Sequence, residues 1–172
     1  MKKVIILGSP GSGKSTFAMR LHDQTKLPLV HLDFYYHQSK YDYINNREPW
    51  IARVKELMKP NRWIIDGNYQ STIPLRCEEA DTIILFDLPR WLCLYRVLKR
   101  RIHFRNKKRE DMPSEWVEKA NGTFMKFVWE FNKNQLPPIL EQLKKNKNKR
   151  VVIFKGSSDA ERFLAEIKNP SK

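Results

Sequence analysis

Apolar residues occur along this chain in short unbroken bursts, separated by longer stretches where they recur every three or four positions. Val4-Ile5-Ile6-Leu7 runs apolar without interruption and stops at Gly8, the pattern of a strand covered on both faces. Residues 29–32 (with His31 inside the run), 63–65, 82–86 and 151–154 make similar short bursts. Three of these bursts end at an acid: Asp33, Asp66 (followed by Gly67) and Asp87. Between the bursts the spacing turns helical. Phe17, Ala18 and Leu21 share a face in residues 14–24. Trp50, Ile51, Val54, Leu57 and Met58 do so after Pro49, and Ala160, Phe163, Leu164 and Ile167 do so in residues 158–168. A helix starts near Pro89 and runs into a basic stretch ending about Arg109. Ser114 is placed to cap a helix whose buried face carries Trp116, Ala120, Phe124, Phe127 and Phe131, and residues 138–147 make a short helix. The tyrosine-rich residues 33–46 read as a loop.

Five short strands alternating with helices predict an α/β fold: a parallel sheet, right-handed crossovers and helices on both faces. The 172 residues suffice for one domain with a proper core. In such sheets ligands bind at the carboxyl ends of the strands, where Gly8, Asp33, Asp66 and Asp87 all fall.

Gly8-Ser9-Pro10-Gly11-Ser12-Gly13-Lys14-Ser15 fits the phosphate-loop pattern Gly-x4-Gly-Lys-Ser, with a strand before it and a helix after it. Glycines let successive N–H groups curl around one oxyanion, and the helix start adds its free N–H groups and positive end. Lys14 is the charge for β- and γ-phosphates, Ser15 offers its hydroxyl to Mg²⁺, and Thr16 follows at the same helix start. The expected ligand is Mg·ATP.

The acids admit two readings each. Asp33 either orients or deprotonates an acceptor hydroxyl, or holds a metal-bound water; the bland alternative is a solvated or capping carboxylate. Asp66 either serves the metal, the role called Walker B, or positions the acceptor; the bland alternative is a turn-forming Asp-Gly pair. Gly67 would admit a close ligand approach, with Asn68 and Tyr69 lining the same site. Asp87 reads as a helix cap and His31 as structural.

Charge adds a further candidate group. Arg96, Lys99, Arg100, Arg101, Arg105, Lys107, Lys108 and Arg109 crowd into fourteen residues, and guanidinium groups clamp phosphates bidentately. The formal net charge of +14 attracts polyanions of any kind. At most weak, sequence-independent nucleic-acid binding is expected, since no base-reading motif accompanies the charge. Cys77 and Cys93 lack metal-ligand spacing and read as free thiols. No apolar run approaches a bilayer-spanning length and no signal-peptide pattern opens the chain, so no membrane partner and a cytoplasmic location are expected.

The chain resembles adenylate-kinase-like P-loop kinases, and within them the group of DNA topology modulation proteins. The resemblance rests on the phosphate loop, His31-Leu32-Asp33, Trp63-Ile64-Ile65-Asp66-Gly67-Asn68-Tyr69, Phe86-Asp87-Leu88-Pro89-Arg90 and the arginines of residues 96–101. It implies strand order 2-3-1-4-5 and a small lid within residues 100–113. It also implies that Arg96 and Arg100 lie near the lid hinge, that Arg101 and Arg105 lie on the lid side, and that the stretch at Gly156 and Ser157 contacts adenine. Adenylate kinases carry an acceptor-binding arginine where this chain has Asp66-Gly67-Asn68-Tyr69-Gln70. The leading expectation is therefore a small-molecule or nucleotide kinase with an unidentified phosphate acceptor. The alternative is an ATP-binding or ATP-hydrolysing regulator associated with nucleic acid.

Overall fold

A computed structural model describes residues 1–38, 43, 46–103 and 121–169. The chain begins β1 (Lys3–Gly8), α1 (Lys14–Thr25), β2 (Leu29–His31), α2 (Leu32–Gln38), α3 (Glu48–Met58) and β3 (Trp63–Asp66). A 3-10 turn (Gln70–Thr72) leads into α4 (Ile73–Glu79) and β4 (Thr82–Phe86). Then come α5 (Arg90–His103), α6 (Gly122–Asn134), α7 (Leu136–Lys145), β5 (Arg150–Phe154) and α8 (Ser157–Lys168).

The five strands form one parallel sheet in the order β2-β3-β1-β4-β5, the expected order of an α/β phosphate-loop sandwich. Alternation along each strand divides its side chains between two cores. Val4 and Ile6 of β1, with Ile84 and Phe86 of β4, meet Phe17, Cys93, Phe154 and Phe163 beneath α1, α5 and α8. Ile5 and Leu7, with Ile83 and Leu85, meet Leu32, Trp50, Ile73 and Ile139 beneath α2, α3, α4 and α7. Helix α6 joins the layers, with Val128 in the first core and Phe131 in the second. Both faces of β1 are thus covered, which is why its sequence is apolar without a break.

Four local expectations need correction. Asp33 does not open a loop: β2 passes directly into α2, with Asp33 in that helix's first turn. Leu32 is fully buried there, so tertiary contact organises a segment whose tyrosines read as irregular. Helix α6 starts at Gly122, capped by Asn121 Oδ1, which accepts from the Phe124 N–H at 2.9 Å. Ser114, Trp116 and Ala120 lie outside the described residues, and Phe127, expected in the core, is 39% exposed. Helix α7 starts two residues earlier than expected, with Pro137 and Pro138 in its first turn, where missing N–H groups cost nothing. Helix α4 had no periodic signal, because seven residues are too few to display one.

Candidate functional site

The phosphate loop leaves the carboxyl end of β1 and delivers the chain to α1. Gly8, Gly11 and Gly13 take φ of 142°, 80° and 96°. At Gly11 a Cβ would sit 2.3 Å from the Cys93 carbonyl oxygen, so only glycine lets the loop lie against α5. Ser9 and Ser12 are buried, and the Ser12 N–H closes a turn onto the Ser9 carbonyl at 3.1 Å. Lys14 Nζ lies over the loop, donating to the Ser9 carbonyl at 3.3 Å. Pro10 is half-buried, Ser15 occupies the first turn of α1, and Thr16 is exposed beside it.

Asp66 ends β3 in register with Ile6 of β1 and His31 of β2. The residue is 4% exposed. Burial alone would raise its pKa, but the His31 hydrogen bond, the Lys14 charge and the Ser15 hydroxyl together hold it below the ordinary carboxylate value. His31 Nδ1 lies 3.1 Å from Asp66 Oδ2, while Asp66 Oδ1 and the Ser12 hydroxyl are buried without a hydrogen-bond partner. The sequence reading of His31 as merely structural missed this contact. Its only signal is strand register, which a single sequence does not display.

Two residues after β3 organise the loop from the side. Asn68 Oδ1 accepts from the Gly8 N–H at 3.0 Å, and its Nδ2 donates to the Gly8 carbonyl at 2.9 Å. This amide fork ties the start of the phosphate loop to the turn after β3. Gly67 admits no ligand at the position of its missing Cβ. That position lies 2.9 Å from Leu32 Cβ, so the close approach is internal. Tyr69 takes φ 41° and donates its hydroxyl to Asp33 Oδ1 at 2.8 Å. Burial, followed by Asp33, raises the Tyr69 phenol far above its ordinary range, so the phenol stays a donor. Breaking the fork should loosen the loop without unfolding the sheet. Asn68→Ala is expected to weaken triphosphate binding by about 5- to 30-fold, the loss of one to two hydrogen bonds. Titration calorimetry with a non-hydrolysable triphosphate checks this, and unchanged affinity would remove the fork from the site.

On the opposite flank Arg96 joins two predicted pieces. Nη1 donates to the Ser12 carbonyl at 3.4 Å and Nη2 to the Ser157 hydroxyl at 2.8 Å. The loop at Gly156 is held by Asp159 Oδ2, which accepts from the N–H groups of Lys155 at 2.8 Å and Gly156 at 3.0 Å. Arg100 and Arg101 lie in the last turn of α5, while Arg105 and residues 104–113 of the expected lid fall outside the described residues. Asp87 pairs with Lys155. Cys77 and Cys93 are buried free thiols, with Cys77 pushed up to about 11 by burial. No cluster of three or more His, Cys, Asp or Glu suited to a metal occurs among the described residues.

Beside Tyr69 a cavity of about 310 Å³ opens among Tyr36, Tyr43, Trp50, Arg47, Gln70 and Ser71. Tyr36, Trp50 and Tyr69 pack edge-on or tilted, with ring centroids 4.7–5.0 Å apart.

Sheet order, phosphate loop and flanking helices define an α/β P-loop sandwich. No protein-family profile and no curated protein matches the chain. Solved structures do match, two shikimate kinases among them. The enzyme from Acinetobacter baumannii, in complex with shikimate, is 15% identical, with 97% of this chain and 91% of that one aligned at a TM-score of 0.61. The enzyme from Bacteroides thetaiotaomicron is 12% identical, with 97% and 96% aligned at 0.52. These likenesses carry the fold. They also overturn the resemblance to DNA topology modulation proteins: the relationship is to the shikimate kinase fold. The strings around Asp66 and Asp87 fit any parallel strand that ends in an acid. They therefore mark an architecture and not that group.

Proposed function

We propose that this protein is an ATP-dependent small-molecule kinase whose acceptor is a ring-bearing alcohol. The observation that carries the reading is the buried Asp66 carboxylate, aligned with β1 at the strand end that leads into the phosphate loop and with Oδ1 lacking a hydrogen-bond partner. Asp66 Oδ1 and the Ser15 hydroxyl are hard oxygen donors, which suits Mg²⁺, and the orphaned buried oxygen gives that fit its physical reason. Mg²⁺ would neutralise charge on the β- and γ-phosphates there.

The chain's own residues divide the remaining work. The loop and Lys14 hold the triphosphate, and Arg96 orders the loop against Ser157. Asp33 accepts the acceptor's hydroxyl proton as that oxygen bonds to the γ-phosphorus. The γ-phosphorus–oxygen bond breaks and ADP departs. Tyr69 fixes the Asp33 carboxylate and forms a wall of the aromatic cavity, which gives Asp33 and the acceptor a common boundary. The cavity lies at the small end of ligand-site volumes, and its rings favour a planar or apolar body, with Arg47 at the rim for a polar substituent. A kinase working on soluble metabolites fits a cytoplasmic location. Among the described residues no helix is long and apolar enough to cross a membrane.

ADP release measured across a panel of cyclic and acyclic alcohols, shikimate included, tests the reading. Acceptor-dependent ADP release is expected for at least one ring-bearing alcohol. Release that ignores every acceptor would make the protein an ATPase. Two variants separate the acids. Asp33→Asn should lower acceptor turnover by about 100-fold or more while leaving ATP affinity within about twofold. Asp66→Asn should shift the Mg²⁺ concentration at half-maximal rate upward by about tenfold. If Asp33→Asn transfers phosphate at the original rate, the base assignment fails.

A further inference from the structure

Helix α5 has an inner face and an outer face of different character. Inward, Cys93 and Val97 are buried and Arg96 reaches the phosphate loop. Outward, Trp91 is 63% exposed, Tyr95 57%, Leu98 43% and Ile102 78%. Their spacings of four, three and four residues put all four in one line along the helix. A line of large apolar groups in water is unusual, whereas single exposed apolar residues are not. Helix α6, packed against α5, extends the surface: Trp129 is 43% exposed, with the Arg90 guanidinium 4.3 Å over its ring. On the helical wheel Lys99 and Arg101 flank the line on opposite sides. Helix α5 holds five Lys and Arg residues and no Asp or Glu.

We propose that the outer face of α5 docks on an anionic lipid surface. An apolar stripe bordered by cations on both sides is the arrangement of a helix lying in a bilayer interface. Its apolar residues enter the acyl boundary while the long basic side chains reach back to the headgroups. A tryptophan and a tyrosine at one end suit the headgroup level. Charge decides against a second copy of this chain as occupant. Stripe-to-stripe pairing would bring two acid-free, five-cation helices together in a chain of net charge +14. A deformable lipid layer also accepts an exposed helix face without a matching groove. Such docking leaves Arg96 and the phosphate loop on the far side of the helix, open to nucleotide.

Co-sedimentation of the full chain with phosphatidylcholine vesicles, with and without about 30% phosphatidylglycerol, tests this, together with light scattering for mass. Partitioning should be at least about tenfold stronger on the anionic vesicles and should fall as salt rises. The double variant Trp91→Ser, Ile102→Ser should lose about tenfold or more of that partitioning. Its triphosphate affinity should stay at the original value, which shows that the fold survives. Three outcomes overturn the proposal: no partitioning onto anionic vesicles, partitioning unchanged in the double variant, or a dimer that the double variant converts to a monomer. The first would favour an acidic protein partner, the second a contact by charge alone elsewhere, and the third a subunit interface.

Discussion

Lys14→Ala is expected to weaken triphosphate binding by about 10- to 150-fold, the loss of one charge-assisted hydrogen bond worth roughly 1.5–3 kcal/mol. Among the described residues the ammonium makes one long hydrogen bond, 3.3 Å to the Ser9 carbonyl. That contact stabilises the fold little, and the side chain is half-buried at the end of a sheet whose core lies elsewhere. The variant should therefore melt within a few degrees of the parent while its calorimetric affinity collapses. Lys14 also lowers the Asp66 pKa by its charge, so its removal makes Asp66 easier to protonate. The carboxylate available to Mg²⁺ is then lost at a higher pH as the solution is acidified, and the affinity deficit should widen toward acid pH. Equal affinity in parent and variant across the pH range would dissociate this loop from triphosphate binding.

The residues legible in the sequence are those whose roles are local. The loop's glycines and Lys14 form a contiguous pattern, and β1 reveals its double burial through four consecutive apolar residues. The resemblance gives Arg96 and the stretch at Gly156 and Ser157 separate roles, and only the structure joins them, through the Arg96–Ser157 hydrogen bond. What escaped depends on register or on distant partners. His31 meets Asp66 only because β2 and β3 align those two positions. Asn68 matters through a bidentate contact sixty residues away, which no local spacing encodes. The outer face of α5 escaped for a different reason. Its arginines dominated the reading of the segment, and the stripe shows only when exposure separates the outward positions from the buried Cys93 and Val97. Composition likewise left the acceptor open, because the cavity's walls come from α2, α3 and the turn after β3.

The largest effect on stability is expected at Arg76, which no motif announces. It is fully buried in α4, and among the described residues its guanidinium forms no ion pair with a carboxylate. It serves the backbone instead, donating to the carbonyls of Gly67 at 2.8 Å, Asn68, and Tyr69 at 3.4 Å, and to the Thr72 hydroxyl at 3.2 Å. Burial lowers its pKa to about 10, which leaves it cationic at neutral pH. The three carbonyls belong to the turn in which Tyr69 holds positive φ and Asn68 reaches Gly8, so one buried cation sets the geometry of both the acceptor wall and the phosphate loop. Arg76→Met keeps most of the volume and removes every donor. Each buried carbonyl left unpaired costs about 1–3 kcal/mol, and the relieved desolvation of the guanidinium offsets part of that sum. A net destabilisation on the order of 3 kcal/mol is expected in urea unfolding, and the surviving folded fraction should bind triphosphate more weakly than the parent. Arg76→Lys should recover little, since one ammonium cannot span carbonyls that a planar fork reaches together. A methionine variant that loses less than about 1 kcal/mol would show that the turn holds its shape through Asn68 and the packing of Tyr69 alone.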